Sequence, residues 1–170
     1  MSPSDTVRAR LSRLLAEAAT ELEALERIHS ELAQYAPQLG SAAVGRPILA
    51  LVAVDLHDYY TALETVFERV ARLLDGDMPV GPDWHRELVE QMAAELPPLR
   101  APVIGPGQRR WLHTLRNFRR FCRHAYAARL DPAQLESHAG SVLGEHSGLV
   151  ASLGTLLEEV RQLRDSLPFS

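Results

Sequence analysis

Apolar residues recur every three or four positions along most of this chain, and that spacing predicts helices. Over residues 5–39 the stripe is Val7, Leu11, Leu14, Ala18, Leu22, Leu25, Leu32, Tyr35 and Leu39, with Glu17, Glu21, Glu23, Glu26 and Glu31 on other faces. One helix of this length extends about 50 Å, and Pro37 and Gly40 end it. Pro47 opens a second helix reaching about Leu74. Its first half is apolar nearly all round (Ile48, Leu49, Leu51, Val52, Val54), which predicts the bundle centre. Polar groups then enter at Asp55, His57, Asp58, Tyr59, Tyr60 and Glu64. Glu64 lies four residues after Tyr60, on the same face, and is placed to hold an arginine of the basic fourth helix, a structural role, or to line a site.

Asp83 is expected to cap a short third helix over residues 84–95, with Trp84, Leu88 and Met92 inward. Pro97-Pro98, Pro102 and Pro106-Gly107 make a stiff connection that wraps another element or moves. A fourth helix over residues 108–128 buries Trp111, Leu115, Phe118, Cys122 and Ala125. Asp131-Pro132 starts a fifth, whose seam (Leu135, Ala139, Val142, His146, Leu149, Leu153, Leu156, Val160, Leu163) alternates steps of four and three. Gly140, Gly144 and Gly148 either permit close backbone approach or break this helix. No β-pattern emerges. The expectation is a single all-α domain over residues 1–170, an antiparallel helical bundle of four long helices and one short one.

Composition narrows the function classes. The sequence is globular, with 46% hydrophobic residues and 24% charged. It has no apolar run long enough to span a bilayer and no signal-peptide pattern, so a cytoplasmic protein is expected. Cys122 is the single cysteine, which excludes an internal disulfide and a cysteine-based zinc site, and it is read as a small core residue. The net charge of −4 is unevenly distributed. Residues 107–129 hold seven arginines and no acid, against 11 arginines and 22 acids elsewhere. Such a stretch suits phosphate or an acidic partner, or else pairs with the surrounding acidic helices.

Candidate chemistry concentrates in Phe118-Arg119-Arg120-Phe121-Cys122-Arg123-His124-Ala125-Tyr126. A histidine exchanges protons near neutral pH, and an arginine clamps phosphate and its transition-state charge. RNA supplies its own nucleophile, the 2′-hydroxyl, so one base and one cation suffice to cleave it without metal. On a regular helix Arg119 and Tyr126 lie within about 20° of each other, whereas His124 lies about 140° from Arg119, on the side of Arg120. One regular helix therefore does not converge the three groups: either long side chains and a distorted last turn bring them together, or a second protomer completes the site. A metal enzyme is not expected, because His57, His85, His113, His124, His138 and His146 show no His-x3-His or Glu-x-x-His pair.

The Phe-Arg-x4-His-x-Tyr string at Phe118 to Tyr126 resembles the signature of HepT-like proteins in the HEPN superfamily. Tyr59-Tyr60-x3-Glu64-x2-Phe67-x2-Val70-Ala71, followed by Trp84-His85-x2-Leu88 and Met92, is similar to that group's larger bacterial members. The resemblance covers roughly residues 50–135. It implies a bundle that dimerises with Arg119 and His124 as catalytic residues in a cleft between protomers, and Arg120, Arg123 and Tyr126 contacting the substrate. It also implies metal-independent endoribonuclease toxin activity without a cofactor, a cognate minimal nucleotidyltransferase antitoxin, and Tyr126 as the residue modified with AMP. A bulky anion at Tyr126 would block the cleft and neutralise its charge. Where active ribonucleases of the superfamily often carry a small polar residue, this chain has Arg120, so the resemblance extends to RNA or nucleotide binding more firmly than to cleavage. The alternative is a non-catalytic helical protein that binds RNA, a nucleotide or a nucleotidyltransferase.

Overall fold

The structure, a computed structural model, describes residues 3–124 and 130–168, without the side chains of Arg123 and His124. It is all-α, with five α-helices: α1 (Pro3–Tyr35), α2 (Arg46–Arg69), α3 (Trp84–Ala93), α4 (Pro106–His124) and α5 (Pro132–Ser166). No strand occurs among the described residues. No helix among them is long and apolar enough to cross a membrane.

Proline and glycine set several of the boundaries. At Pro37 the chain leaves α-geometry and tightens into a 3-10 turn over Ala36–Gly40, because a proline ring clashes with the carbonyl four residues back and offers no amide hydrogen. Pro47 and Pro132 sit in the first turns of α2 and α5, where a missing amide hydrogen costs nothing. The Asp131 side chain caps α5 by accepting from the Ala133 amide at 3.0 Å. Asp83, expected to cap α3 in the same way, uses only its backbone carbonyl, which accepts from Arg86 at 2.8 Å. α2 continues through a π-helical turn, Val70–Asp75, and stops at Gly76, whose φ of +77° favours glycine.

α2 is the hub and packs against each of the other four helices. Burial begins at Val52 and is densest in the second half. Val54 is 54% exposed, while Val52, Leu56, Leu63, Val66 and Phe67 are buried. The apolar first half is thus only partly covered, which corrects the expectation that it forms the bundle centre. One rotation of 100° separates Val54, facing solvent, from Asp55, facing α1 and buried. The α5 seam is buried from Leu135 to Val160, with Leu163 alone exposed. α5 runs unbroken past Gly140, Gly144 and Gly148, and a methyl group added at Gly140 or Gly144 would meet nothing within 4 Å. Among the described residues, Gly140 and Gly144 therefore provide no close approach, and Gly148 meets only the Gln108 side chain at ordinary contact distance.

The proline-rich connection is pinned. The Met92 carbonyl accepts from the amides of Val103 at 2.8 Å and Ile104 at 3.3 Å, and both side chains are buried. Beneath it lies an ion pair that is 1% and 2% exposed: Arg100 donates through Nε and Nη2 to the two Asp75 oxygens, each at 2.7 Å. Further donations to the carbonyls of Gln91, Ala94 and Ala101 use up the guanidinium hydrogens. The start of α4 is then fixed to α5 through Gln108, which bonds Ser152 at 3.2 Å.

Candidate functional site

α4 carries two faces of opposite character. Leu112, Leu115 and Phe118 are buried against the bundle, with Trp111 and Cys122 partly covered. Cys122 behaves as a packing residue; burial raises its thiol above the ordinary value, which disfavours a nucleophilic thiolate at neutral pH. Opposite this stripe, Arg109, Arg116, Arg120 and Arg123 follow one another at i, i+7, i+11 and i+14, a spacing that keeps their Cα atoms on one side.

Arg119 sits at the boundary of the two faces and turns inward. Its Nη1 lies 3.1 Å from Glu64 Oε1, and its guanidinium carbon lies 5.5 Å from the centroid of the Tyr60 ring. The Arg119 side chain is 13% exposed and that of Glu64 is 5% exposed, so this pair is held away from bulk water. The other Glu64 oxygen accepts from His85 Nδ1 at 2.6 Å. His85 in turn stacks on Trp84, with ring centroids 3.6 Å apart. Because a carboxylate only accepts, His85 carries its hydrogen on Nδ1 and leaves Nε2 for other work. Burial, then the neighbouring Glu64, push the Tyr60 hydroxyl well above its ordinary range, so it stays protonated. Glu64 thus orients a cation and an imidazole at one corner of α2, α3 and α4.

Elsewhere α4 is only partly tied down. Glu90 on α3 accepts from Arg109 Nε at 3.0 Å and from His113 Nε2 at 2.6 Å. Burial works against the Glu90 carboxylate, but the bonds from Arg109 and His113 outweigh it and leave its pKa below the usual range. Among the described residues, Arg110, Arg116 and Arg120 form no ion pair, and Arg120 is exposed. The basic stretch is therefore neither fully neutralised by neighbouring acids nor wholly free.

The backbone is helical through His124, so the offset of about 140° between Arg119 and His124 stands at the backbone level. The side chains of Arg123 and His124, and the whole of Tyr126, lie outside the described residues. The structure thus places Arg119 on Glu64 and Arg120 at the surface.

A second polar cluster lies on the α1–α5 seam. His146 is 4% exposed, and its Nδ1 is 3.0 Å from the Tyr59 hydroxyl. Its ring stacks on His29 at 4.0 Å with 9° between the planes. Adjacent tyrosines of α2 therefore serve different sites: Tyr60 underlies Arg119, and Tyr59 holds His146.

Two features escaped the sequence reading. His85 is 21 residues from Glu64, and no periodicity links a residue at the start of one helix to the middle of another. The second was legible: Glu26 and His29 form a Glu-x-x-His pair on α1, a spacing that the other six histidines lack.

A family model described as HepT-like protein matches residues 51–164. No curated protein and no solved structure matches the chain. The matched span takes in Glu64, His85, Arg119 and His146 and begins after α1.

Proposed function

The chain belongs to the HepT-like family, and from that membership we propose that it is the toxin of a toxin–antitoxin module and cleaves RNA without a metal ion. The 2′-hydroxyl attacks the adjacent phosphorus, the bond to the 5′-oxygen breaks, and a cyclic phosphate remains. His124 exchanges the proton at the attacking or leaving oxygen. Arg119 stabilises the charge that builds on the phosphoryl oxygens. Arg120 and Arg123 hold the flanking backbone, and Tyr126 contacts the RNA by stacking or through its hydroxyl. A second copy of the chain completes the cleft, since Arg119 and His124 diverge on one helix. The partner that silences the site is a minimal nucleotidyltransferase, which transfers AMP from ATP to the Tyr126 hydroxyl with loss of pyrophosphate.

The observation that carries this reading is the acid-free arginine run of α4 in a HepT-like bundle, with Arg119 fixed by the buried Glu64 rather than waving in solvent. A guanidinium already oriented loses less entropy when it meets phosphate. Expression in a bacterial host tests it: wild type arrests growth and degrades RNA, whereas His124→Ala does neither.

One observation favours a second reading, a non-catalytic binding partner. Glu64 already neutralises Arg119, and Arg120 occupies the position after it. On that reading wild type leaves RNA intact, and its binding is lost on replacing Arg119 or Arg123 and weakens steeply with salt.

A further inference from the structure

Away from α4, three side chains with metal-binding atoms meet between α1 and α5. Glu26 and His29 are one helical turn apart on α1, and His146 comes from the buried seam of α5. One carboxylate oxygen and one ring nitrogen from each histidine all lie within 4.8 Å of one another. His146 Nε2 is buried and has no hydrogen-bond partner. A Glu26 oxygen lies 3.1 Å from it, but without the alignment of a hydrogen bond. A buried polar nitrogen left unpartnered is costly, which calls for an occupant.

We propose that His146 Nε2, a ring nitrogen of His29 and the Glu26 carboxylate form a site for one divalent ion of the zinc class, which clips α1 to α5. Two imidazoles and one carboxylate are a borderline-soft donor set that suits zinc, whereas magnesium and calcium prefer all-oxygen shells with more ligands. Three protein ligands leave the fourth tetrahedral position to water. Tyr59 supplies the outer support: with Nε2 on the metal, Nδ1–H of His146 donates to the Tyr59 oxygen 3.0 Å away, which fixes the tautomer and the ring. One adjustment is needed. The two rings are stacked nearly parallel, and a metal sits in the plane of each ligating ring, so His29 must turn. His29 is only half-buried and the Glu26 side chain is 58% exposed, which leaves space for the turn, and the bond of the His29 ring to the Leu143 backbone has to be released or kept by the other ring nitrogen. The site thus has one locked ligand and two adjustable ones on the solvent side. Its role is to hold helices together, separately from any chemistry on α4, so it stands or falls apart from the ribonuclease reading.

The test uses the full chain without an affinity tag, titrated with zinc chloride by calorimetry and melted with and without zinc. One ion binds per chain, and the unfolding midpoint climbs with zinc concentration but not with magnesium. His29→Ala and Glu26→Gln alter only the solvent side, so both keep the wild-type helical circular dichroism, and each weakens zinc binding about tenfold or more. His57→Ala, which removes a half-buried histidine on α2, binds zinc as wild type does. Absence of zinc uptake by wild type overturns the proposal, as does uptake by His29→Ala that equals wild type.

Discussion

Asp55 shows what one buried carboxylate does to a helix interface. It is 5% exposed, and its Oδ2 has no partner. Burial, reinforced by Glu31 and Asp58, raises its pKa from 3.8 to about 6. An acid whose folded pKa is raised is stabilised in its protonated form. The cost of burying it is absent below the unfolded value of 3.8, grows as pH rises, and is complete above about 6. Asp55→Asn should therefore stabilise the protein by about 3 kcal/mol at pH 7.5 and by well under ~1 kcal/mol at pH 4, read from urea unfolding at the two pH values. Equal effects at both would contradict the assignment. The inward turn at Asp55 was not legible from the sequence, because hydropathy alone puts Val54 inside and its neighbour outside. Glu64 was different. Its position one turn after Tyr60 marked it as an arginine's seat or part of a site, and it holds Arg119.

At the scale of elements, helical periodicity located all five helices, because each buries a stripe wide enough to show in the sequence. The seam of α5 was legible residue by residue from Leu135 to Val160. What periodicity does not encode is backbone geometry between stripes, such as the π-helical turn at Val70–Asp75, or long-range polar ties. The Arg100–Asp75 pair is the clearest of these ties, since it fastens the proline-rich connection beneath α3. Removing one partner strands a buried charge, so Arg100→Ala should lower stability by about 3–5 kcal/mol in chemical unfolding. A loss below about 1 kcal/mol would show that the connection does not depend on it. The glycines of α5 make the opposite prediction. Gly144 is exposed and helical, and nothing lies where a methyl would sit. Gly144→Ala should stabilise the protein by about 1 kcal/mol in the same measurement, and a destabilisation would mean that another surface packs there.

Seen whole, the molecule is an acidic body with one basic helix, and that asymmetry was visible from charge order alone. Its consequence in three dimensions is mixed. Glu64 and Glu90 take up Arg119 and Arg109, while Arg116 and Arg120 make no ion pair among the described residues. That arginine face is therefore anchored at Arg109 and carries no ion pair at Arg116 and Arg120 among the described residues. The divergence of Arg119 and His124 on α4 is the reason a second copy enters the proposal. On the proposed function, His124 and the arginines beside it cleave RNA without metal. The most direct measurement incubates purified wild type and His124→Ala with RNA in buffer lacking divalent metal and follows the products. Wild type should release fragments ending in a 2′,3′-cyclic phosphate, and His124→Ala, with an unchanged helical circular dichroism spectrum, should release none. Cleavage by His124→Ala at the wild-type rate, or intact RNA with wild type, would contradict it.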